Sequence, residues 1–455
     1  MAFTQQFLFD DSGKHFISVT GSWGLDGAPY NGNSTSVDTK GRIYFPAFYR
    51  EDASYPWLPN SGWIGQYSEL GNLNWQRAIG GSNATTWAAE NELLFSSCLS
   101  PDEQYLYVLG STSMGSDNGI LFKYDTSGSV QWKKQIGDSG DNDFYGSVTD
   151  SSGNLYIAGA YSPNAGQGKA NIIKLNSSGV IQWQKFLANT SHYRHMAIDS
   201  SNNIYVCGTI DGGPADCLVV KYNTSGSVQW QKRITRGSSN YWEGSFCIAL
   251  DSSGNVYITG YSNHDSSNDD QPFLLKMNSS GTFQWARKFG NYATPSGNTA
   301  ECCTIDQNDN VYVTGRDKTN TSGTDAYIVK LNSSGTVQWK RSLGINGVNH
   351  NGYSIKIDSR NNVILGGDFY AASGSGGYGS RDYFLAKLPS DGTKTGTYSI
   401  NSGSWVYQST SMNVGSSTGW SISNAGRSTS NSSLSVSNSS LSEASYTHSS
   451  STINI

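Results

Sequence analysis

The feature that most constrains the fold of this chain is a repeat of roughly fifty residues. Its clearest copy runs from Asp251 to Lys288 and reads DSSGNVYITG, a polar insert, then FLLKMNSSGTFQWARK. Residues 256–260, 273–277 and 282–287 are rich in β-branched and aromatic side chains and are bounded by turn residues, which is typical of strands. A fourth run, 245–250, alternates in period two. Each unit is therefore predicted to form four antiparallel strands.

The turn that opens the unit occurs seven times, at Asp38, Pro101, Asp150, Asp199, Asp251, Asp306 and Asp358. From Asp150 onward the copies are 49, 52, 55 and 52 residues apart, a little above the period of propeller blades and far from helical repeats. In the seventh copy, Thr397 and Tyr398 stand where the other copies have a Trp. The sequence predicts an all-β fold, a seven-bladed β-propeller over residues 33–400, closed radially.

Two sets of residues repeat with the blades, and we interpret both as scaffold. A binding site is expected to break the symmetry of the repeat, so a side chain found in every blade is better explained by packing or turn geometry. The repeated residues are Trp75, Trp132, Trp183, Trp230, Trp285 and Trp339, together with Asp150, Asp199, Asp251, Asp306 and Asp358.

Composition and charge exclude several classes of partner. The net charge is −5, which offers no basic field for a nucleic acid. No apolar run has the length of a membrane-spanning helix, and residues 1–6 lack a secretory signal, so we expect neither membrane insertion nor Sec export. The six cysteines follow no metal-binding spacing and read as small buried residues, although a disulfide between Cys207 and Cys217 stays open.

The loops fall into two kinds, and this predicts where binding occurs. Turns from strand one to two and from three to four are short and similar, whereas the other two connections vary and emerge on the opposite face. Variable loops on a rigid scaffold are the usual place for binding. The predicted binding aromatics, suited to a saccharide or a docked protein, are Trp57, Trp63, Trp87, Tyr145, Tyr193, Tyr241, Trp242 and Tyr292. Packing between blades is the alternative for each ring.

No catalytic or metal-binding constellation stands out in the sequence. His192 and His195 have no carboxylate or Cys at a metal-ligand offset, and the turn at Asp306 lacks the Gly and Glu of a calcium loop. We therefore predict no metal, no cofactor and no enzymatic activity. A catalytic site assembled from distant loops is the remaining alternative.

Both ends of the chain fall outside the repeat. Residues 1–32 either supply strands that close the ring or form an extra hairpin, and we favour closure. Residues 401–455 are rich in Ser, Asn and Thr and contain a seven-residue repeat starting at Asn431 and Asn438. This segment is either a flexible tail or an arm that docks on another subunit by β-addition. Docking is favoured, with Leu434, Val436 and Leu441 as its apolar contacts.

The units D-x-x-G-N-V-Y-I-T-G and K-x-N-S-S-G-x-V-Q-W-x-K resemble the β-propeller repeat of many bacterial proteins. With a Ser-rich tail and no signal peptide, the layout also resembles virion proteins of tailed bacteriophages, especially those of marine cyanobacteria. That resemblance implies a tail, fibre or capsid-surface protein, assembled in host cytoplasm, that binds other virion proteins through its tail and a host-surface glycan through its loops. The alternatives are a scaffold propeller of a bacterial cell, similar to quinoprotein-like scaffolds, and a propeller enzyme.

Overall fold

The structure is a computed structural model, and it describes most of the propeller together with short strands from both ends of the chain. The described residues are 2–8, 15–22, 27–28, 35–50, 60–80, 92–112, 118–137, 141–162, 169–187, 190–210, 215–236, 242–263, 270–290, 298–318, 323–371, 382–400, 403–417, 420–424, 429–431, 435–438, 442–445 and 449–450. Over these ranges the protein is all strand and turn, and no helix long and apolar enough to cross a membrane is found.

Seven sheets form the blades of a propeller over the described ranges, which confirms the predicted fold class. We label the strands of each blade a to d, starting from the centre. Blades two to six follow the chain in order, and each strand pairs antiparallel with the next. Their strands are Glu92–Leu99, Tyr105–Thr112, Asn118–Asp125 and Val130–Gly137; Asp141–Thr149, Leu155–Ser162, Lys169–Leu175 and Ile181–Leu187; Thr190–Ile198, Ile204–Ile210, Asp216–Tyr222 and Val228–Arg236; Trp242–Leu250, Val256–Asn263, Asp270–Met277 and Phe283–Phe289; and Cys302–Ile305, Val311–Asp317, Asp325–Leu331 and Val337–Ile345.

Blades one and seven meet at the seam of the ring and are less regular. In blade one, the short strands Gly27–Ala28 and Ser36–Val37 both pair with strand b, and strands b to d are Ile43–Arg50, Asn60–Tyr67 and Leu73–Gly80. In blade seven, strands a to c are Val348–Ile357, Asn362–Ala371 and Asp382–Pro389.

The fourth strand of blade seven comes from the other end of the chain. Phe16–Ser22 pairs with Asp382–Pro389, and Ala2–Leu8 lies outside it. The expectation that Thr397 and Tyr398 belong to this fourth strand is wrong. Their strand, Gly396–Ile400, pairs instead with Gly403–Ser409 on the outside of blade six. A strand from the first residues thus completes a sheet begun by the last repeat.

The Ser-rich segment runs around the outside of its own propeller, and we call residues 403–450 the belt. Its strands add in turn to blades six, five, four, three, two and one, and the last adds to Ala2–Leu8 on blade seven. They are Gly403–Ser409, Val414–Ser416, Trp420–Asn424, Thr429–Asn431, Ser435–Asn438, Ser442–Ser445 and Ser449–Ser450. The arm expected to dock on another subunit therefore adds its strands to the chain that carries it.

The rhythm of the belt explains its sequence repeat. The last belt strands begin at residues 429, 435, 442 and 449, and each pairs with a different sheet. The spacing of six or seven residues between these strands matches the seven-residue repeat. Trp405 and Tyr407 fix the start of the belt, because they are buried in the hydrophobic core beside blades six and seven.

The face made by the a–b and c–d turns, which we call the uniform face, is held by a repeated carboxylate. In blade five, Asp251 Oδ1 accepts hydrogen bonds from the backbone N–H groups of Ser253 and Asn255, at 3.1 and 2.8 Å. Its Oδ2 accepts from the Tyr257 hydroxyl at 3.2 Å and lies 3.4 Å from Lys276 Nζ. The same ion pair occurs between Lys174 and Asp150, Lys221 and Asp199, Lys330 and Asp306, and Lys387 and Asp358.

Neighbouring blades are joined by the repeated Trp and Lys. Trp285 Nε1 and Lys276 Nζ both donate to the carbonyl of Ser333 in blade six, at 3.3 and 3.0 Å. Trp75, Trp132, Trp183 and Trp230 each donate in the same way to a carbonyl in the c–d turn of the following blade, and Trp339 donates to the carbonyl of Ser390, directly after strand c of blade seven. Each repeated Trp therefore covers its own strand d and also bonds to the next blade.

Candidate functional site on the variable face

The inner strands of blades two, three, four, five and seven carry an irregularity at one repeated place. In blade four, Tyr193 pairs with Gly208 and His195 pairs with Cys207, so that Arg194 has no opposite residue. Blade five has the same bulge at Phe246. A β-bulge bends the strand locally and re-aims the side chain of the extra residue, and bulges are over-represented near active sites.

A glycine in strand b makes room for each bulge. A Cβ added to Gly260 would fall well inside van der Waals contact with the carbonyl oxygen of Gly244 in strand a. Gly208 meets His192 O in the same way. The glycines that do so are Gly110, Gly159, Gly208, Gly260, Gly315 and Gly367, one in each of blades two to seven. The last Gly of the repeat V-Y-I-T-G is therefore required by the bulge rather than by a turn.

The residues at the bulge form what we call the bulge ring, on the side of the b–c and d–a loops, the variable face. In blade six, Glu301 takes this place, because its N–H donates to Thr314 O while Cys302 also pairs with Thr314. Unlike the scaffold positions, this one varies from blade to blade. The bulge ring consists of Phe95, Tyr145, Arg194, Phe246, Glu301 and Tyr353.

Two pairs of adjacent members of the bulge ring are in contact. The rings of Phe95 and Tyr145 are 5.0 Å apart between their centroids, and the Arg194 guanidinium carbon lies 5.4 Å from the centroid of Phe246. Arg194 Nε also donates to His192 Nε2 at 2.8 Å. Burial, together with the charge of Arg194, lowers the pKa of His192 to about 3, so this imidazole is neutral and can accept that bond.

The ring also contains an acidic group. Glu301 is only 7 % exposed, and burial raises the pKa of its carboxyl, although a hydrogen bond from Thr299 and the charges of Arg316 and Arg194 act against that shift. Among the described residues, none is a hydrogen-bond partner of Glu301 Oε2. The ring therefore combines aromatic surface, one guanidinium and one carboxyl, the groups that pack and orient a partner at an interface.

The structure separates the predicted binding aromatics into three groups. Tyr145 lies in the bulge ring, half-buried, and its hydroxyl donates to Asp143 Oδ2 at 3.1 Å. Trp63 and Tyr193 are core residues with no exposed surface, so the prediction that they form part of a loop surface is corrected. Trp63 lies in strand c of blade one, and the Tyr193 hydroxyl bonds to the Tyr222 hydroxyl at 2.7 Å.

The remaining predictions can be placed only in part. Trp242 begins strand a of blade five, and Val436 lies in a belt strand opposite Ile136. Outside the described residues lie Trp57, Trp87, Tyr241, Tyr292, Leu434 and Leu441.

Sequence reasoning missed five of the six ring residues, although a signal for them existed. Five of the six lie five residues before the Asp that opens the a–b turn, as Phe246 does before Asp251, and Phe95 lies six residues before Pro101. The Gly nine residues after that Asp, Gly260 in this blade, marks the bulge. Aligning the units on the turn would have shown an asymmetric column, Phe, Tyr, Arg, Phe, Glu and Tyr, within a symmetric repeat.

The cysteines and histidines were expected to be ordinary core or polar residues. Within the described ranges, no group of three His, Cys, Asp or Glu side chains is arranged to hold a metal ion. All six cysteines are free thiols; Cys207 pairs with Val219 and Cys217 with Thr209, so they do not face each other. His195 joins two blades, because its Nδ1 accepts the Ile248 N–H at 3.0 Å.

Solved structures similar to this chain are propellers of diverse activity. An ulvan lyase of polysaccharide lyase family PL25 matches with 9% identity and a TM-score of 0.46, covering 82% of this chain and 96% of its own. The propeller domain of the Trilobed protease from Pyrococcus furiosus matches with 11% identity and a TM-score of 0.44, covering 79% and 94%. Such distant matches say nothing about the activity of this chain. Comparison with curated proteins gave no match.

Comparison with protein-family models gave a match that covers more than half of the chain. Residues 60–322 match the PQQ_2 family, described as outer membrane protein assembly factor BamB. The matched range runs from strand c of blade one into blade six and includes five of the six members of the bulge ring, all except Tyr353. The chain therefore belongs to the PQQ_2 family of propellers, the family described as outer membrane protein assembly factor BamB.

Proposed function

We propose that this chain is a non-catalytic binding propeller that docks a protein partner on its variable face, above the bulge ring. The observation that carries this proposal is the contrast between repeated and unrepeated positions. The Asp, Lys, Trp and Gly positions that hold the scaffold recur from blade to blade, whereas the re-aimed position holds Phe, Tyr, Arg and Glu. Aromatic residues and Arg are enriched at the energetic centres of protein interfaces.

The choice of a protein as partner is supported by the family. Its description names an assembly factor, and such a protein acts by contacting other proteins. Arg194 supports the same choice, since a guanidinium held by one imidazole and one aromatic ring is presented in a fixed orientation. A saccharide, the ligand class suggested by the loop aromatics, is the alternative that the experiment below distinguishes.

The setting that we propose is a tailed-phage particle, with assembly in the host cytoplasm. The repeat and the Ser-rich segment carry this resemblance. In that setting the belt strands are paired with their own blades, so the contact with other virion proteins would be made by the variable face. A scaffold role in a bacterial cell uses the same face and differs only in its partner.

The experiment places a photo-activated cross-linking residue at Tyr145, in the ring, or at Val180, which is 56% exposed on the uniform face. Both proteins are irradiated with particle or envelope fractions of the source. We expect a discrete protein adduct from position 145 that is lost when Arg194→Glu is added. Adducts from position 180 alone would contradict the proposal. Binding to a glycan array that is lost with Arg194→Glu would replace the protein partner by a saccharide.

A further inference from the structure

The central channel contains a cavity of about 510 Å³ on the uniform-face side of the bulge ring. Inner strands of all seven blades line it, together with turn residues such as Ser100 and Pro101, and no member of the bulge ring does. Its volume is within the range of about 300 to 1,000 Å³ found for small-molecule sites. The cavity is therefore a separate compartment from the proposed docking face.

One lysine breaks the symmetry of the cavity wall. Lys356 lies in strand a of blade seven, two residues before Asp358, and lines the cavity. The corresponding residues of the other blades are small or apolar and carry no cationic group. They are Ser36, Cys98, Val148, Ala197, Ala249 and Thr304.

The ammonium group of Lys356 lies near the axis of the ring. Its charge acts on Cys98 in blade two, His195 in blade four and Cys302 in blade six. In the part of the chain that the structure describes, the ammonium group of Lys356 has no hydrogen bond and no ion pair. By contrast, the repeated Lys276 has a carboxylate partner at 3.4 Å. A half-buried cation that lines an enclosed channel and has no counter-ion among the described residues attracts an anion, so the site favours a negatively charged ligand.

Hydrogen-bond donors accompany this cation. His195 is 4% exposed and lines the cavity, and its Nδ1 already accepts the Ile248 N–H. Because a neutral imidazole then carries its proton on Nε2, this atom is a donor, and it has no acceptor among the described residues. The hydroxyls of Ser97, Ser147 and Thr304 also belong to lining residues.

The carboxylate at the rim does not neutralise the cavity. Glu103 is the acidic residue of the lining, and both of its oxygens accept hydrogen bonds from the backbone N–H of Thr39, at 3.0 and 3.1 Å. Its Oε2 also accepts from the Thr39 hydroxyl. Glu103 therefore joins blades one and two at the mouth and leaves Lys356 without an internal counter-ion.

We propose that the channel cavity binds a small organic anion, a carboxylate- or phosphate-bearing molecule, with Lys356 as counter-ion and His195 Nε2 as hydrogen-bond donor. The ligand enters from the uniform face, where the turn residues form the mouth. The site is independent of the variable face, so a failure to find a docking partner leaves it untouched.

The test uses isothermal titration of the full chain with citrate and with inorganic phosphate. We expect one site per chain for at least one of these probes, and at least a tenfold weaker affinity in Lys356→Met. Lys40→Met removes the same charge from an exposed turn on the same face and should bind like the wild type. The probe that binds identifies the class of anion.

A second variant keeps the proposal testable if Lys356→Met fails to fold. Cys98→Asp places a carboxylate within reach of Lys356 and should abolish binding while the chain stays folded. The proposal is overturned if neither probe binds the wild type at low millimolar concentration. Equal binding by the wild type and by Lys356→Met, or undiminished binding by a folded Cys98→Asp, would also overturn it.

Discussion

The indole Nε1 of Trp230 in blade four donates a hydrogen bond to the carbonyl oxygen of Ser279 in blade five, 3.2 Å away. Ser279 lies in the c–d turn of its blade, two residues before Gly281, which has a positive φ of 76°. The bond therefore ties a strand of one sheet to a turn of the next. The stability of the ring depends on a series of such contacts between blades.

Replacing Trp230 by Phe removes this donor and keeps most of the aromatic surface. We expect the free energy of unfolding to fall by about 1 kcal/mol, the usual net contribution of one hydrogen bond. Urea denaturation followed by tryptophan fluorescence measures the change. Gln229→Lys, on the exposed side of the same strand, serves as the control and should shift stability by less than about 0.5 kcal/mol. Equal stability of Trp230→Phe and wild type would show that this hydrogen bond does not contribute to the free energy of unfolding.

Replacing Gly260 by Ala tests the bulge of blade five. The added methyl group would collide with the Gly244 carbonyl, and overpacking of this kind costs about 1 to 3 kcal/mol. Gly254→Ala is the matched control, since Gly254 has a φ of +73° and its added Cβ meets only Ser279 Cβ at 3.6 Å. That substitution should cost about 1 kcal/mol, from backbone conformation alone. If the control is the more damaging of the two, the close approach of strands a and b is not the reason for the repeated Gly.

Two aspartates of blade six should respond to pH in opposite ways. Burial, with the neighbouring charge of Asp317, raises the pKa of Asp325 to about 6. For Asp306, burial is outweighed by hydrogen bonds from Asn310, Asn308 and Tyr312, and its pKa is lowered. Because the pKa of Asp325 is raised in the folded protein, its contribution to stability increases as pH falls from about 6 to 4. Because the pKa of Asp306 is lowered, its contribution to stability is lost as pH falls below about 4.

The substitutions Asp325→Asn and Asp306→Asn remove the same charge and should separate these effects. At pH 7 we expect Asp325→Asn to stabilise the protein by about 1 kcal/mol and Asp306→Asn to destabilise it by about 1 to 3 kcal/mol. Thermal unfolding at intervals between pH 3 and 8 measures both. A pH profile of Asp325→Asn that still rises between pH 6 and 4 would assign that rise to other buried acids, such as Glu301.

Removing the later belt strands should promote association between chains, whereas removing the buried side chain of Trp405 should lower stability. A chain that ends at Ser417 keeps Trp405 and Met412 in the core but leaves the outer strands of blades one to four unpaired. Unpaired edges promote contact between chains, so we expect light scattering to detect concentration-dependent association that the full chain lacks. Trp405→Ala in the full chain should instead lower stability by about 3 to 5 kcal/mol without association, because Trp405 is 1% exposed. A non-associating chain ending at Ser417 would contradict this protective role.

Much of the fold could be predicted because the turns are encoded locally. Asp251 and Asn255 specify a turn through the hydrogen bond between them, and Gly254 supplies the positive φ. Because similar turns recur along the sequence, their number gives the number of blades. The pairing of Phe16–Ser22 with Asp382–Pro389 is of another kind, since it depends on which strand edge is left open when the ring closes. The residues of Phe16–Ser22 do not by themselves distinguish a strand that closes the ring from a strand of a separate hairpin.

The candidate site was harder to predict for a related reason. Tyr193 and Tyr145 look alike in sequence, but Tyr193 precedes the bulge residue of blade four and lies in the core, whereas Tyr145 is itself the bulge residue of blade three and lies in the ring. The bulge depends on a glycine in the next strand, so the signal lies about fourteen residues from the side chain it controls. The belt partners depend on edges that become available only after the blades have formed.

The order in which the belt strands pair with the blades determines how the protein responds to a pulling force. Its last strand, Ser449–Ser450, pairs parallel with Phe3 and Thr4, and the earlier strands pair antiparallel, one per blade. A force that pulls residue 450 away from the rim would load only two to five residue pairs at a time, and the blades would lose their outermost strands in the order seven, one, two, three. Such a chain yields in small successive steps, and its interior strands stay unloaded until the belt has come away as far as Trp405.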